Sequence, residues 1–170
     1  VRAARASPGL VVVDEAYFEF VRMADPVDGL ATLARHDNVV LTRTFSKAYG
    51  MAGMRMGYAI GLPETVSKVG RAWGLGSINE LQAVAGIAAL NDTAHMDWER
   101  GENKRIRDWT LSQFKEIGFD APDSQTNFLF VNIRRPAAGF RDACRAQGVA
   151  IGRDFPPMEK THARISLGTM

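Results

Sequence analysis

Thr42-Arg43-Thr44-Phe45-Ser46-Lys47-Ala48-Tyr49-Gly50-Met51-Ala52-Gly53-Met54-Arg55-Met56-Gly57-Tyr58 follows directly on the apolar run Val39-Val40-Leu41. Its single amine, Lys47, has a hydroxyl beside it at Ser46 and a guanidinium eight residues on at Arg55. An amine can condense with an aldehyde, and a hydroxyl together with a guanidinium can hold a phosphate. Read one at a time the same residues are ordinary. A Ser-Lys pair commonly opens a helix with a solvated ammonium, and a lone arginine is commonly a surface charge. Their weight depends on what lies upstream.

Upstream is Val11-Val12-Val13-Asp14-Glu15-Ala16-Tyr17. Leu10 to Val13 is a short continuous apolar run of the kind found in strands buried on both faces, and it stops at two acids. Val39 to Leu41 has the same character. In an open α/β sheet ligands gather beyond the carboxyl ends of parallel strands. If the two runs are parallel neighbours, Asp14, Tyr17 and Lys47 leave the sheet at one rim. A carboxylate there can pair with a protonated pyridine nitrogen, and a phenol can donate to a ring oxygen. The plainer alternative is that Asp14 caps the next helix and Tyr17 packs in the core.

Together these strings, with Arg164-Ile165-Ser166-Leu167-Gly168-Thr169 near the end of the chain, resemble the pyridoxal-phosphate-dependent aminotransferases of class I/II, and within them the histidinol-phosphate aminotransferase branch. The resemblance runs over essentially the whole chain, and the Lys47 string is its most specific part. It implies an α/β fold of the fold-type I transferase kind, with a partial large domain built on a mostly parallel sheet and a small C-terminal α/β domain. It implies Lys47 as the lysine that forms a Schiff base with pyridoxal 5'-phosphate. Asp14 is then the partner of the pyridine nitrogen and Tyr17 of the ring hydroxyl. Ser46 and Arg55 bind the cofactor phosphate, with Thr44 assisting. Arg164 holds the substrate carboxylate; otherwise it would be an arginine on an edge strand whose core face is Ile165 and Leu167. The freed lysine amine serves as the base and acid that moves a proton at the substrate Cα.

Arg153 is expected to read a substrate phosphate or carboxylate. The branch tends to place its arginine directly after Gly-Val-x-Val, whereas here Gly152 intervenes between Ile151 and Arg153. That departure bears on histidinol phosphate as the substrate.

Composition sets outer limits. With 170 residues, 46% hydrophobic and 24% charged, the chain can bury a globular core. A formal net charge of +2 gives no reason to expect nucleic acid or an anionic membrane as partner. The single cysteine, Cys144, excludes an internal disulfide and favours a cytoplasmic setting. No apolar run approaches the ~18 residues of a membrane span. His36, His95 and His162 have no metal-ligand spacing. Gly50, Gly53 and Gly57 do not form a dinucleotide fingerprint and are expected to permit tight turns and close backbone approach.

Related enzymes carry a long stretch before the Asp-Glu-Ala-Tyr strand and a last helix after the Gly-Thr pair. The chain is therefore expected to be the C-terminal portion of an aminotransferase, inactive alone, from a parent that is a homodimer by family resemblance. The expected organisation is 1–77 for the incomplete cofactor domain, 78–93 for a connecting helix and 94–170 for the small domain. Strands are expected at Leu10–Val13, Val39–Leu41, Met56–Gly61, Phe128–Ile133, Val149–Ile151 and Ala163–Leu167. Helices are expected from Pro63, over Ile78–Leu90 as a buried element, over Ala94–Ile117 with Trp98, Ile106, Trp109, Phe114 and Ile117 on its core face, and over Pro136–Gln147. Trp73 to Ser77 reads as a breaker. The readings left open are transamination between an amino acid or amino-phosphate and a 2-oxo acid, a lyase or decarboxylase reaction on the same fold, and a non-catalytic effector-binding module.

Overall fold

β1 (Val11–Asp14) and β2 (Val39–Thr44) are parallel neighbours, in register from Val11 against Val39 to Asp14 against Thr42. The structure is a computed structural model and describes residues 6–24, 26–74 and 76–169. β3 (Gly57–Gly61) lies on the other side of β2 and runs antiparallel to it. A strand that returns after a loop of about a dozen residues has no crossover helix to carry it back in parallel. On one face of this sheet Val39 and Leu41 are fully buried against Val11, Val13, Ile60 and Leu33. Leu33 comes from a short helix, α1 (Gly29–Leu33), which the sequence reading had not anticipated. Asp28 starts it by accepting from the Ala31 amide at 2.9 Å.

α2 (Pro63–Trp73) begins with Pro63 in its first turn and stops at Gly74, whose backbone is left-handed. This agrees with the breaker expected from Trp73 onward; Leu75 lies outside the described residues. α3 (Glu80–Asn91) opens with a reciprocal cap. The Asn79 side chain accepts from the Gln82 amide at 2.9 Å, and the Gln82 side chain accepts from the Asn79 amide at 2.7 Å. The helix was expected to be buried. Gly86 is, but Leu81, Val84 and Ile87 are 76%, 62% and 62% exposed. Its contacts run along the side that carries Gly86, where an added Cβ would come within 3.0 Å of the Met56 methyl.

The described residues fall into two compact units that divide between Met96 and Asp97. The division falls within α4 (Thr93–Glu116), whose start is capped by the Asp92 side chain accepting from the His95 amide at 2.9 Å. In the second unit β4 (Phe128–Asn132) and β5 (His162–Ser166) form an antiparallel pair. Leu129, Val131, Ile133 and Ala163 are its buried centre, packed by Phe114 and Leu111 from α4 and by Phe140 from α5 (Ala137–Ala146). On α4 Ile106 is buried as expected, whereas Trp98 and Trp109, and Ile117 just past the helix end, are about half exposed or more. One broad apolar arc is wider than the strip that a two-stranded ribbon can cover. Val149–Ile151, expected as a strand, has no ladder partner and is irregular. Among the described residues no helix is long and apolar enough to cross a membrane, and no cluster of His, Cys, Asp and Glu could hold a metal.

Candidate functional site

Asp14 is the last residue of β1 and faces Thr42 across the parallel ladder. One carboxylate oxygen accepts from the Ala16 amide at 3.1 Å and from the Thr42 hydroxyl at 3.4 Å. The first of these is the turn-capping role that Asp14 could have had alone. It also fixes the carboxylate at the rim, where its other oxygen can serve a ligand. Tyr17 follows in the turn after β1, and the Lys47 ammonium nitrogen stands 5.3 Å from the centre of its ring.

The Lys47 loop is closed by backbone bonds. The Phe45 amide donates to the Met56 carbonyl at 3.2 Å, the Met51 amide to Phe45 at 3.0 Å and the Gly50 amide to Lys47 at 2.9 Å. Phe45, Ala48 and Met56 are buried and hold the loop down, while Ser46 and Lys47, between Phe45 and Ala48, are half-buried. Buried apolar residues thus flank the two candidates, so the packing aims the amine. The Thr44 hydroxyl accepts from the Ser46 amide at 3.1 Å. Arg55 ends the 3-10 turn Ala52–Met54 in a left-handed conformation, φ 51°, and donates to the Ala52 carbonyl at 2.9 Å. A non-glycine residue in that region costs about 1–3 kcal/mol and is met most often at functional sites.

Asp14, Thr44, Ser46, Lys47 and Arg55 line one cavity of about 390 Å³, together with Ala16, Thr42, Arg43 and Ala52. The donor set suits an aromatic aldehyde that carries a phosphate. It offers one amine, one carboxylate for a ring nitrogen, and hydroxyls with a guanidinium for an anion. A larger cavity of about 600 Å³, lined by Leu10, Asn38, Leu62, Thr65 and Val69 among others, contains none of these groups. Size alone would have pointed to it, whereas the candidate groups line the smaller one.

Arg164 and Arg153 are in the second unit. Arg164 lies on β5 opposite Phe130, with its guanidinium 4.0 Å from the centre of the Phe128 ring and 5.5 Å from that of Phe155. The Arg153 guanidinium is 4.9 Å from the same Phe155 ring. The extra glycine before Arg153 therefore does not carry it away from Arg164; two cations share one aromatic ring. The neighbouring Asp154 is paired with Arg141.

Sequence reasoning passed over Glu15 and Arg43. Glu15 is 7% exposed and accepts from Arg43 Nε at 2.8 Å. Burial works against the Arg43 charge, but hydrogen bonds with Glu15 and Tyr58 outweigh it and raise the guanidinium above its ordinary value. Once Asp14 stands opposite Thr42 in a parallel pair, the next residues on each strand must meet.

The family described as aminotransferase class I and II matches this chain over residues 1–170. A histidinol-phosphate aminotransferase of Symbiobacterium thermophilum is 38% identical over 160 residues, which cover 94% of this chain and 44% of that protein. A solved protein from Erwinia carotovora atroseptica superposes with a TM-score of 0.91 at 33% identity, over 98% of this chain and 48% of its own. A histidinol-phosphate aminotransferase from Sinorhizobium meliloti, solved in complex with pyridoxal-5'-phosphate, superposes with a TM-score of 0.81 at 28% identity, over 93% and 44%. The chain thus spans less than half the length of each of these proteins.

Proposed function

Because this chain belongs to the class I and II aminotransferases, we propose that the protein carrying it moves an amino group between an amino acid, or an amino-phosphate such as histidinol phosphate, and a 2-oxo acid. Pyridoxal 5'-phosphate is the cofactor. When bound, it supplies an aldehyde that takes up an amine and a ring that stores the electrons left when a Cα–H bond breaks. Lys47 is the residue that would anchor it, and its amine would take the proton from the substrate Cα and deliver it to the carbon that had been the cofactor's aldehyde. Asp14 holds a proton at the ring nitrogen, and the Tyr17 hydroxyl donates to the ring oxygen. Ser46, Thr44 and Arg55 hold the phosphate. Arg164 grips the substrate carboxylate with its planar fork, and Arg153 reads a second anionic group. The complete protein works as a homodimer in the cytoplasm, with small molecules rather than nucleic acid or membrane as partners.

One observation carries this reading: Asp14 and Lys47, from two different strand ends, line the same cavity. Had they left the sheet on opposite sides, no single pyridine could touch both. The test is chemical. In the complete protein, borohydride treatment in the presence of pyridoxal phosphate should fix one equivalent of the cofactor on the peptide that contains Lys47. Lys47→Ala should bind the cofactor without fixation and lose amino transfer by about four orders of magnitude or more, as expected when a covalent group and its base vanish together. Fixation at another lysine, or retained turnover in Lys47→Ala, would overturn the assignment.

A further inference from the structure

We infer that the buried Glu15–Arg43 pair is a positioning strut for the cofactor end of the sheet, setting which way Asp14 and the Lys47 loop face. The inference rests on the function proposed above. Residues alternate between faces along an extended strand. On one face β1 presents Val11 and Val13, and β2 presents Val39 and Leu41, all in the apolar core beneath α1. Glu15 and Arg43 are the next rung of that same face, joined at 2.8 Å. On the opposite face the last rung is Asp14 with Thr42, the pair at the cavity. Holding Glu15 on one side therefore holds Asp14 on the other.

Both ends of the strut are fitted. A Cβ at Gly29, the first residue of α1, would lie 1.9 Å from a Glu15 carboxylate oxygen, so glycine there leaves the space that the carboxylate fills. Arg43 stands opposite Tyr58 of β3, whose hydroxyl favours its charge, and lays its guanidinium 4.4 Å from the centre of the Phe18 ring. One guanidinium thus ties the segment after β1 to β3 across β2, and Lys47 is four residues further along the same chain. The backbone ladder also runs one residue past β1, with the Glu15 amide donating to Thr42 at 2.9 Å. A buried ion pair is a poor source of stability, since apolar groups of similar volume commonly serve as well or better. Placed one residue from a proposed ligand on each strand, its use is orientation.

The experiment takes the complete protein and titrates it with pyridoxal phosphate, reading the dissociation constant and the wavelength of the bound cofactor's visible band. The variants are the double apolar replacement Glu15→Leu with Arg43→Met, and the single replacement Arg43→Lys. The double variant should melt, free of cofactor, at or above the wild-type temperature. It should still bind the cofactor about tenfold or more weaker, the scale expected for misplacement of a site by a fraction of an ångström, with the band displaced. A double variant that binds within about twofold of wild type and shows an unshifted band overturns the strut. Should the double variant not fold, Arg43→Lys decides. It keeps the charge but loses the fork, so weakened binding with a shifted band supports the strut, and wild-type affinity and band refute it. A wild-type protein that binds no pyridoxal phosphate refutes the proposed function instead, so the two failures are distinct.

Discussion

Gly57 and Arg55 stand two residues apart and carry opposite constraints. A Cβ at Gly57 would lie 2.7 Å from the Arg43 carbonyl, so β3 can pair with β2 there only through a glycine. Arg55 tolerates a left-handed backbone that a glycine would adopt more easily, which indicates that its side chain is needed. Gly53, expected to matter for close approach, has open space around its Cβ position and no such backbone conformation. Arg164 shows how a residue's surroundings prepare it. Stacking on Phe128 at 4.0 Å restrains the guanidinium, as its proposed grip on a carboxylate requires. Arg164→Ala in the complete protein should therefore raise KM for the amino donor by about 10- to 100-fold, the loss expected for a hydrogen-bonded charge pair. Steady-state kinetics with varied donor would show it, and an unchanged KM would remove Arg164 from substrate binding.

Among the elements, α3 couples its own capping to the functional loop. Gln82 completes the cap with Asn79, and its side-chain amide also donates to the Met54 carbonyl at 2.7 Å, one residue before Arg55. Asn79→Ala should cost about 1 kcal/mol of stability, the usual worth of such a cap. Urea unfolding of the complete protein would read it as a lower midpoint at constant slope. A midpoint unmoved by the substitution would mean that the cap bond is not formed in solution. The strands give the contrasting lesson. β1 and β2 were legible as apolar runs, while their parallel pairing was a condition of the reading that the strand register supplies. The direction of β3 and the short helix α1 were not legible, because a five-residue helix has too few turns to show a period.

For the whole molecule, the exposed apolar residues decide behaviour. Leu81, Val84 and Ile87 on α3 stand open alongside Val12 at the edge of the sheet. The 170-residue chain by itself should therefore self-associate at micromolar concentration, and sedimentation velocity should show species heavier than the monomer. Val84→Glu with Ile87→Glu should shift that distribution toward monomer; a wild-type chain that sediments as a clean monomer would contradict the expectation. The family was readable from the sequence, because it is carried by short strings whose residue types are dictated by local chemistry. The burial of α3 and of Trp98 and Trp109 on α4 was misjudged, because periodicity reports which side of a helix is apolar and not whether anything covers it. Tertiary structure alone decided that Asp14 and Lys47 share a cavity, that Glu15 meets Arg43 and that Arg153 and Arg164 share Phe155. Those are contacts between distant segments, set by strand register and loop closure, and no local pattern of side chains encodes them.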